Sequence, residues 1–468
     1  MRRPRTLLVG GGGREHALGL ALQRSEAPLF VAAPQVNPGL KAIARDYLVS
    51  AVEDGPKISR WAREREVELA VLGPEAAIAA GVADELRAAK IPTVGPSAAA
   101  GRIESSKAFA RELMQRHHIP GLPEFRTVSS PAEVDAAVAA FSGQFVVKAA
   151  GLAGGKGVWV QGVDFQTPQE GAEIAKKLFP PTGKERTVVL EERLEGEEFS
   201  LLAFVDGTSV LPMPIAQDYK RALEGNQGPN TGGMGSYSER DHLLPFLTKE
   251  DREAATEILR GVVAALRKEN LEFRGVLYGG FMLTAQGPEV LEFNARFGDP
   301  ETLNILTLFD GTDFADLLYQ VAASRIDPSH VSFRLRATVC KYLVPVGYPD
   351  SPKKGSLLRI DENAIRDLGV TVYYGSVSPG PEPGTALTGT SRSLALVGES
   401  SARKDAEARV EQALKHVQGE YYVRHDVGSV ADVKARVEHM HRLRGTAPFD
   451  PVKNPTRSGP APPQVFLA

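Results

Sequence analysis

In residues 278–301, YGGFMLTAQGPEVLEFNARFGDPE, two apolar runs flank Ala285-Gln286-Gly287-Pro288. Gly and Pro supply turn chemistry there, so the segment reads as a β-hairpin. On its second strand a period of two puts Val290, Glu292, Asn294 and Arg296 on one face. Leu291, Phe293, Ala295 and Phe297 then form the core face. A carboxylate, an amide and a guanidinium in a row on a strand suited to burial need partners. Glu292 and Asn294 offer oxygen ligands to a hard cation, and Arg296 offers a fork to phosphate. The turn that follows adds two carboxylates, Asp299 and Glu301. The pattern predicts a metal and phosphoryl-transfer centre, around which the rest of the chain must be arranged.

Residues 1–100 alternate strand and helix signals: strands at 6–9, 30–33, 67–72 and 92–94, and a helix over 14–24. Such alternation predicts a doubly wound parallel sheet with ligands at the carboxyl ends of its strands. Those ends hold Gly10-Gly11-Gly12-Gly13, Asn37-Pro38-Gly39 and Gly73-Pro74-Glu75. A dinucleotide reading fails, because the third glycine of G-x-G-x-x-G is replaced by Glu15 or His16, and Ala32-Ala33-Pro34 offers no acid for a ribose. The loop still opens a helix, so its N–H groups could hold one phosphate; an ordinary strand-to-helix turn is the alternative.

Further on, Ser105-Ser106-Lys107 caps a helix with Phe109, Leu113 and Met114 inward, and Lys107 could reach a phosphate. Residues 145–148 form a strand ending in Lys148, then Gly151-Leu152-Ala153-Gly154-Gly155-Lys156-Gly157 leads into another strand at 158–160. No Ser or Thr follows Lys156 and no helix follows the loop, so this is not a Walker A loop; two lysines still favour a phosphate cover over a bare hairpin tip. The acidic run 191–198 joins two strands and suits a hinge as well as a solvated turn. Residues 216–237 are polar, glycine-rich and without periodicity, which predicts an ordered substrate loop carrying Asp218, Lys220, Asn230, Thr231, Gly232 and Gly233. A helix over 250–268 directs Ala254, Ile258, Val262 and Leu266 inward. Shorter strands at 337–343 and 371–376 and a helix near 402–416 predict an accessory α+β domain. A last helix over 431–444 directs Val433, Val437 and Met440 inward, with His439 and His441 read as solvated, before a Pro-rich tail expected to be mobile.

Of 468 residues, 42% are apolar and 24% charged, with a net charge of −3. The length calls for several cores, and the balance excludes a global field for nucleic acid or anionic membrane. One cysteine, Cys340, excludes an internal disulfide and reads as a small buried hydrophobe. The apolar run Leu7-Leu8-Val9 is too short for a signal peptide, so a cytoplasmic enzyme is expected.

Taken together, GGGGREH at 10–16, Gly73-Pro74-Glu75, Ser106-Lys107-Ala108-Phe109, the segments 148–157 and 191–198, GPNTGGMG at 228–235 and above all RFGDPE at 296–301 resemble the ATP-grasp ligases, and among them the phosphoribosylamine–glycine ligases of purine synthesis. The resemblance spans the chain to about residue 429. It implies an N-terminal substrate domain (1–104), a linking helix (105–124), an ATP-grasp core made of a mobile lid subdomain (125–195) and a catalytic subdomain (196–330), a C-terminal α+β domain (331–430), and a terminal helix and tail (431–468). It implies ATP as co-substrate with Mg²⁺ or Mn²⁺ on Glu292 and Asn294, and glycine and 5-phosphoribosylamine as the partners of a monomer or weak homodimer. Lys107, Lys148 and the loop residues Gly151, Gly154, Gly155, Lys156 and Gly157 would then meet the ATP phosphates. Glu191, Glu192 and Leu194 would hold adenine and Glu198 ribose, while Gly11, Gly12, Gly13, Arg14 and Glu15 would hold the 5-phosphate. Arg296 would stabilise the transferring phosphoryl group; Asp299 and Glu301 would orient the amines, one of them taking a proton. The chain departs from the family with Ala150 for Asp, Tyr219 for His and Leu303 for Gln, and residues 276–283 lack the second acidic ligand of many ATP-grasp enzymes. Another ATP-grasp ligase or carboxylase, a dinucleotide oxidoreductase and a regulator without turnover are the rivals.

Overall fold

The computed structural model describes residues 3–149, 151, 157–179, 187–311 and 313–445. The N-terminal sheet is parallel throughout, in the order Asp46–Val49, Leu29–Ala33, Thr6–Val9, Leu69–Leu72, Thr93–Val94. Alternation sends Leu7 and Val9 to one core and Leu8 to another. The strand Asp46–Val49 carries no alternation signal; it is a half-exposed edge, so burial never imposed one on its sequence. The order reverses between Thr6–Val9 and Leu69–Leu72, which places the glycine loop and Glu75 at a topological switch point.

A second sheet, antiparallel, runs Phe125–Val128, Val188–Glu192, Phe145–Ala149, Val158–Val160, with Phe145, Val147, Phe165 and Leu190 in its core. A third runs Val210–Pro212, Glu197–Asp206, Arg274–Leu283, Pro288–Asn294. The helix Lys249–Lys268, capped by Thr248, helps cover one face; Ala255 takes the inward place expected of Ala254, which is exposed.

The hairpin differs from a strict period of two. Gly280 pairs with Glu292 but Phe281 with Val290, so Leu291 is an extra residue in a bulge. Val290 therefore faces the core, fully buried, and Leu291 turns to the cleft side with Glu292 and Asn294.

The segment 216–237 is not a loop without secondary structure. It holds the strands Gln217–Asp218, Arg221–Leu223, Gln227–Asn230 and Gly235–Ser238. The first and last extend the C-terminal sheet, through Gly235–Ser238 on Ala337–Leu343, followed by Leu394–Ser400 and Val370–Tyr374. Gly235–Ser238 finds its partner in Ala337–Leu343 about a hundred positions away, which no local pattern reports. Val430–Arg444 forms the terminal helix. Among the described residues no helix is long and apolar enough to cross a membrane.

Candidate active site

The sheets and the terminal helix enclose a cleft of about 1140 Å³. Most of the expected residues line it: Arg14 from the N-terminal domain, Lys107, Lys148 and Gly157, then Glu191, Glu192, Leu194 and Glu198. Asp218, Lys220, Asn230, Thr231 and Gly232 line it too, with Glu292, Asn294, Arg296, Asp299 and Glu301. Gly11, Gly12, Gly13, Glu15, Gly151 and Gly233 are not among its lining residues. Gly154, Gly155 and Lys156 lie outside the described residues.

At one end the cations converge. Lys148 Nζ is 2.6 Å from Glu191 Oε2 and 2.9 Å from the Leu291 carbonyl that the bulge turns inward. Arg111 grips the same carboxylate with two bonds of 2.8 and 2.9 Å and donates to the Val290 and Leu291 carbonyls. Burial pushes the Glu191 carboxyl up, but Arg111 and Lys148 override it and hold it at about 2. Glu191 is thus a buried charged anchor whose carboxylate faces two cations. Arg111 was not anticipated; its spacing of four from Lys107 on one helix face was the available signal. Lys107 donates to the Gly151 carbonyl at 3.3 Å.

The Glu292 carboxylate has no hydrogen bond or ion pair among the described residues. Burial raises its pKa, yet Lys220, Lys107, Lys148 and Arg296 together bring it below the ordinary value. Asn294 Oδ1 accepts from Arg296 Nη2 at 3.2 Å and keeps a second lone pair. An unpaired carboxylate and an amide oxygen, ringed by four cations, fit a hard divalent ion that arrives with a polyanion. No cluster of three or more Asp, Glu, His or Cys among the described residues could hold a metal by itself, so such an ion would have to take its remaining ligands from phosphate and water.

Arg296 is more engaged than a free phosphate fork. Its Nε sits 2.9 Å from Glu75 and 3.1 Å from Glu104, and Nη1 donates to the Phe297 carbonyl at 3.2 Å. Burial raises the Glu75 carboxyl, but Arg296 and Arg14 pull it down to about 2; the deeper Glu104 is raised by its burial.

At the other end lie the acids. Asp299 accepts from Tyr342 Oη at 2.7 Å and pairs with Arg392 at 3.1 Å. Arg392 also donates to the Asp299 and Gly233 carbonyls, tying the C-terminal domain to the turn. A side chain at Gly13 would collide with the Tyr342 hydroxyl, so the glycine loop admits this close approach. Glu301 Oε1 accepts from Ser200 (3.0 Å) and Tyr278 (2.8 Å). Asp218 is half-buried, with its Oδ1 buried and unpartnered, and loss of water around it together with Glu301 raises its pKa well above the ordinary value. Gly233, at φ +106°, leaves the space that Asp218 and Pro300 occupy. Lys220 is held by Glu198 at 2.7 Å.

The glycine loop spends part of its capacity on itself. Glu15 Oε2 takes the Gly12 N–H at 2.6 Å and Oε1 takes Arg14 Nε at 2.6 Å, so Glu15 shapes the loop. Its carboxylate is occupied on both oxygens and does not face the cleft, unlike Arg14, whose Nη1 donates to the Phe297 carbonyl at 3.1 Å.

With this geometry in place, similarity to known sequences decides the family. Residues 4–104, 105–302 and 338–430 match the N domain, the ATP-grasp (A) domain and the C domain of phosphoribosylglycinamide synthetase. The chain belongs to the phosphoribosylglycinamide synthetase family. A phosphoribosylamine–glycine ligase of Pyrococcus abyssi is 43% identical over 439 residues, 94% of this chain and 98% of that protein. The crystal structure of the phosphoribosylamine–glycine ligase of Thermotoga maritima superposes with a TM-score of 0.76 at 28% identity, over 90% of this chain and all of that one. The biotin carboxylase domain of Hydrogenobacter thermophilus 2-oxoglutarate carboxylase, solved with MgADP and bicarbonate, shares the fold at a TM-score of 0.67 and 14% identity, over 97% of this chain and 98% of that one. The family's ATP-grasp domain spans both the cationic end and the hairpin, so these parts of the cleft lie in the stretch of the chain named for ATP.

Proposed function

We propose that this cleft joins glycine to 5-phosphoribosylamine through a glycyl phosphate. The ligation, ATP-dependent and a step of purine biosynthesis, is the activity of the family to which the chain belongs. The observation that carries the reading is Glu292, a carboxylate without a partner, set among Lys107, Lys148, Lys220 and Arg296. That arrangement suits a triphosphate and its metal.

The triphosphate lies along Lys107 and Lys148, and Glu292 and Asn294 hold Mg²⁺, or Mn²⁺ in its place. The ion supplies charge neutralisation at the γ-phosphate when bound. A carboxylate oxygen of glycine attacks the γ-phosphorus, the bond to the β-bridging oxygen breaks, and ADP leaves. The amine of 5-phosphoribosylamine then attacks the acyl carbon and phosphate leaves with the acyl oxygen. The attacking nitrogen must lose a proton. Asp299 is held by Tyr342 and Arg392, and Glu301 by two hydroxyls, so both serve as orienting groups. Asp218, with its unpartnered oxygen and raised pKa, is the better acceptor. Arg14 and the N–H groups of the first turn after Gly12 meet the 5-phosphate at the switch point. The chain's own contribution is alignment and charge, which is most of what phosphoryl transfer requires.

The test is ADP release with 5-phosphoribosylamine generated in the assay. Release should require glycine and the amine together. Equal release with either one omitted, or with an unrelated acid in place of glycine, would rule the reading out.

A further inference from the structure

The family's C domain ends at residue 430, where the terminal helix Val430–Arg444 begins. Its pattern predicts plain packing, with His439 and His441 in solvent. Instead Asp432, Ala435, Arg436 and His439 line the cleft, as do the segment 193–196 that joins the two antiparallel sheets and the strand residues Glu197 and Glu198 that follow it. His439 Nδ1 lies 2.7 Å from Glu197 Oε1, and Arg436 Nη1 lies 2.9 Å from Glu197 Oε2. Arg436 is braced in turn by Asp432 at 2.7 Å and stacks over the Tyr219 ring at 4.9 Å. Tyr219 donates to Asp432 at 2.7 Å, and Arg444 clamps Asp251 with bonds of 2.8 and 2.9 Å. The helix is therefore pinned at both ends, and its cleft-facing row is fixed in place.

A carboxylate facing Nδ1 makes that nitrogen the donor. The ring's orientation is then set, and Nε2 is left without a partner among the described residues. Glu197 and Glu198 are consecutive on one strand; Glu198 pairs with Lys220 on its other side.

We propose that His439, oriented by Glu197 and Arg436, is a binding residue for the nucleoside of ATP, and that the terminal helix forms the outer wall of the nucleoside pocket. The ligand chemistry is a ribose hydroxyl or purine amine, a donor to the free Nε2. The inference rests on the reading of residues 191–198 as the adenine and ribose hinge.

The experiment uses the full chain, with calorimetry of two probes, Mg²⁺ with adenylyl imidodiphosphate and Mg²⁺ with tripolyphosphate. An Asn amide superposes on Nδ1 and a Gln amide on Nε2, so the two variants separate the ring's two edges. H439A and H439N should each weaken the nucleotide about five- to tenfold, the worth of one hydrogen bond, with tripolyphosphate unchanged. H439Q should recover part of the loss, and KM for ATP should rise while KM for glycine stays. Wild-type affinity in H439N would mean the histidine only braces Glu197, and equal loss for both probes would mean a general loosening; either overturns the proposal. If H439N leaves affinity intact while E198A weakens the nucleotide, this inference alone fails. If neither changes it, the hinge reading fails as well.

Discussion

Lys148 Nζ and Glu191 Oε2 are 2.6 Å apart, and both side chains are buried. Arg111 completes the group, so two cations and one anion leave a net positive charge facing the cleft. A lysine free to swing would lose rotamer entropy on meeting phosphate; this one is already placed.

Replacing Glu191 by Gln strands two buried cations. The expected loss is about 3–5 kcal/mol of stability, read from urea denaturation, with weaker nucleotide binding. Because the carboxyl is held at about 2, below its ordinary 4.5, its contribution is complete above pH 4.5 and vanishes as the pH falls towards 2. The wild-type protein should lose stability over that interval by more than E191Q does.

Glu292→Ala removes a carboxylate that bonds to nothing in the described structure. The melting temperature should change little, while Mg²⁺-dependent ADP release should fall by about 100-fold or more. Full activity in this variant would mean the metal lies elsewhere.

Asp218→Asn keeps the shape and removes the proposed proton acceptor. The expected result is a fall in kcat of about 10²–10⁴ with KM for ATP unchanged. The raised pKa of Asp218 predicts that wild-type activity climbs as the pH rises through it, and this limb should be absent in D218N. An unaltered limb would assign the proton to another group.

His16 reports on the contact between the terminal domains. Its Nδ1 accepts the Tyr374 N–H at 2.9 Å, so it must be neutral there, and burial lowers its pKa from 6.5 to about 4. A depressed folded pKa means the stabilisation is complete above pH 6.5 and is lost as the pH falls to 4, amounting to about 3 kcal/mol. His16→Asn keeps the acceptor and cannot titrate, so its melting temperature should fall less over that interval. Parallel curves for the two proteins would refute the assignment.

Much of the site was legible locally. Glu292 and Asn294 stand on alternate positions because a strand has a period of two, while Arg296 lies in the bend beyond the strand's end at Asn294; the glycine loop sits at the carboxyl end of a parallel strand, as the alternating pattern predicts. Glycine loops, alternating carboxylates and a Ser cap are short-range features, and short-range features survive in the order of residues. The sequence alone determined the hairpin, the parallel sheet and the shared face of Glu292 and Asn294.

Tertiary structure decided the partners. Arg111 with Glu191, Arg392 with Asp299 and His439 with Glu197 are joined across 80, 93 and 242 positions. The bulge at Leu291 belongs to this class, since two strands must meet before an extra residue on one of them has meaning. So does the raised pKa of Asp218, which exists only once water has been excluded and Glu301 brought near. A charge in a sequence has no dielectric and no neighbour; folding supplies both, and it is folding that turned a row of polar side chains into a site.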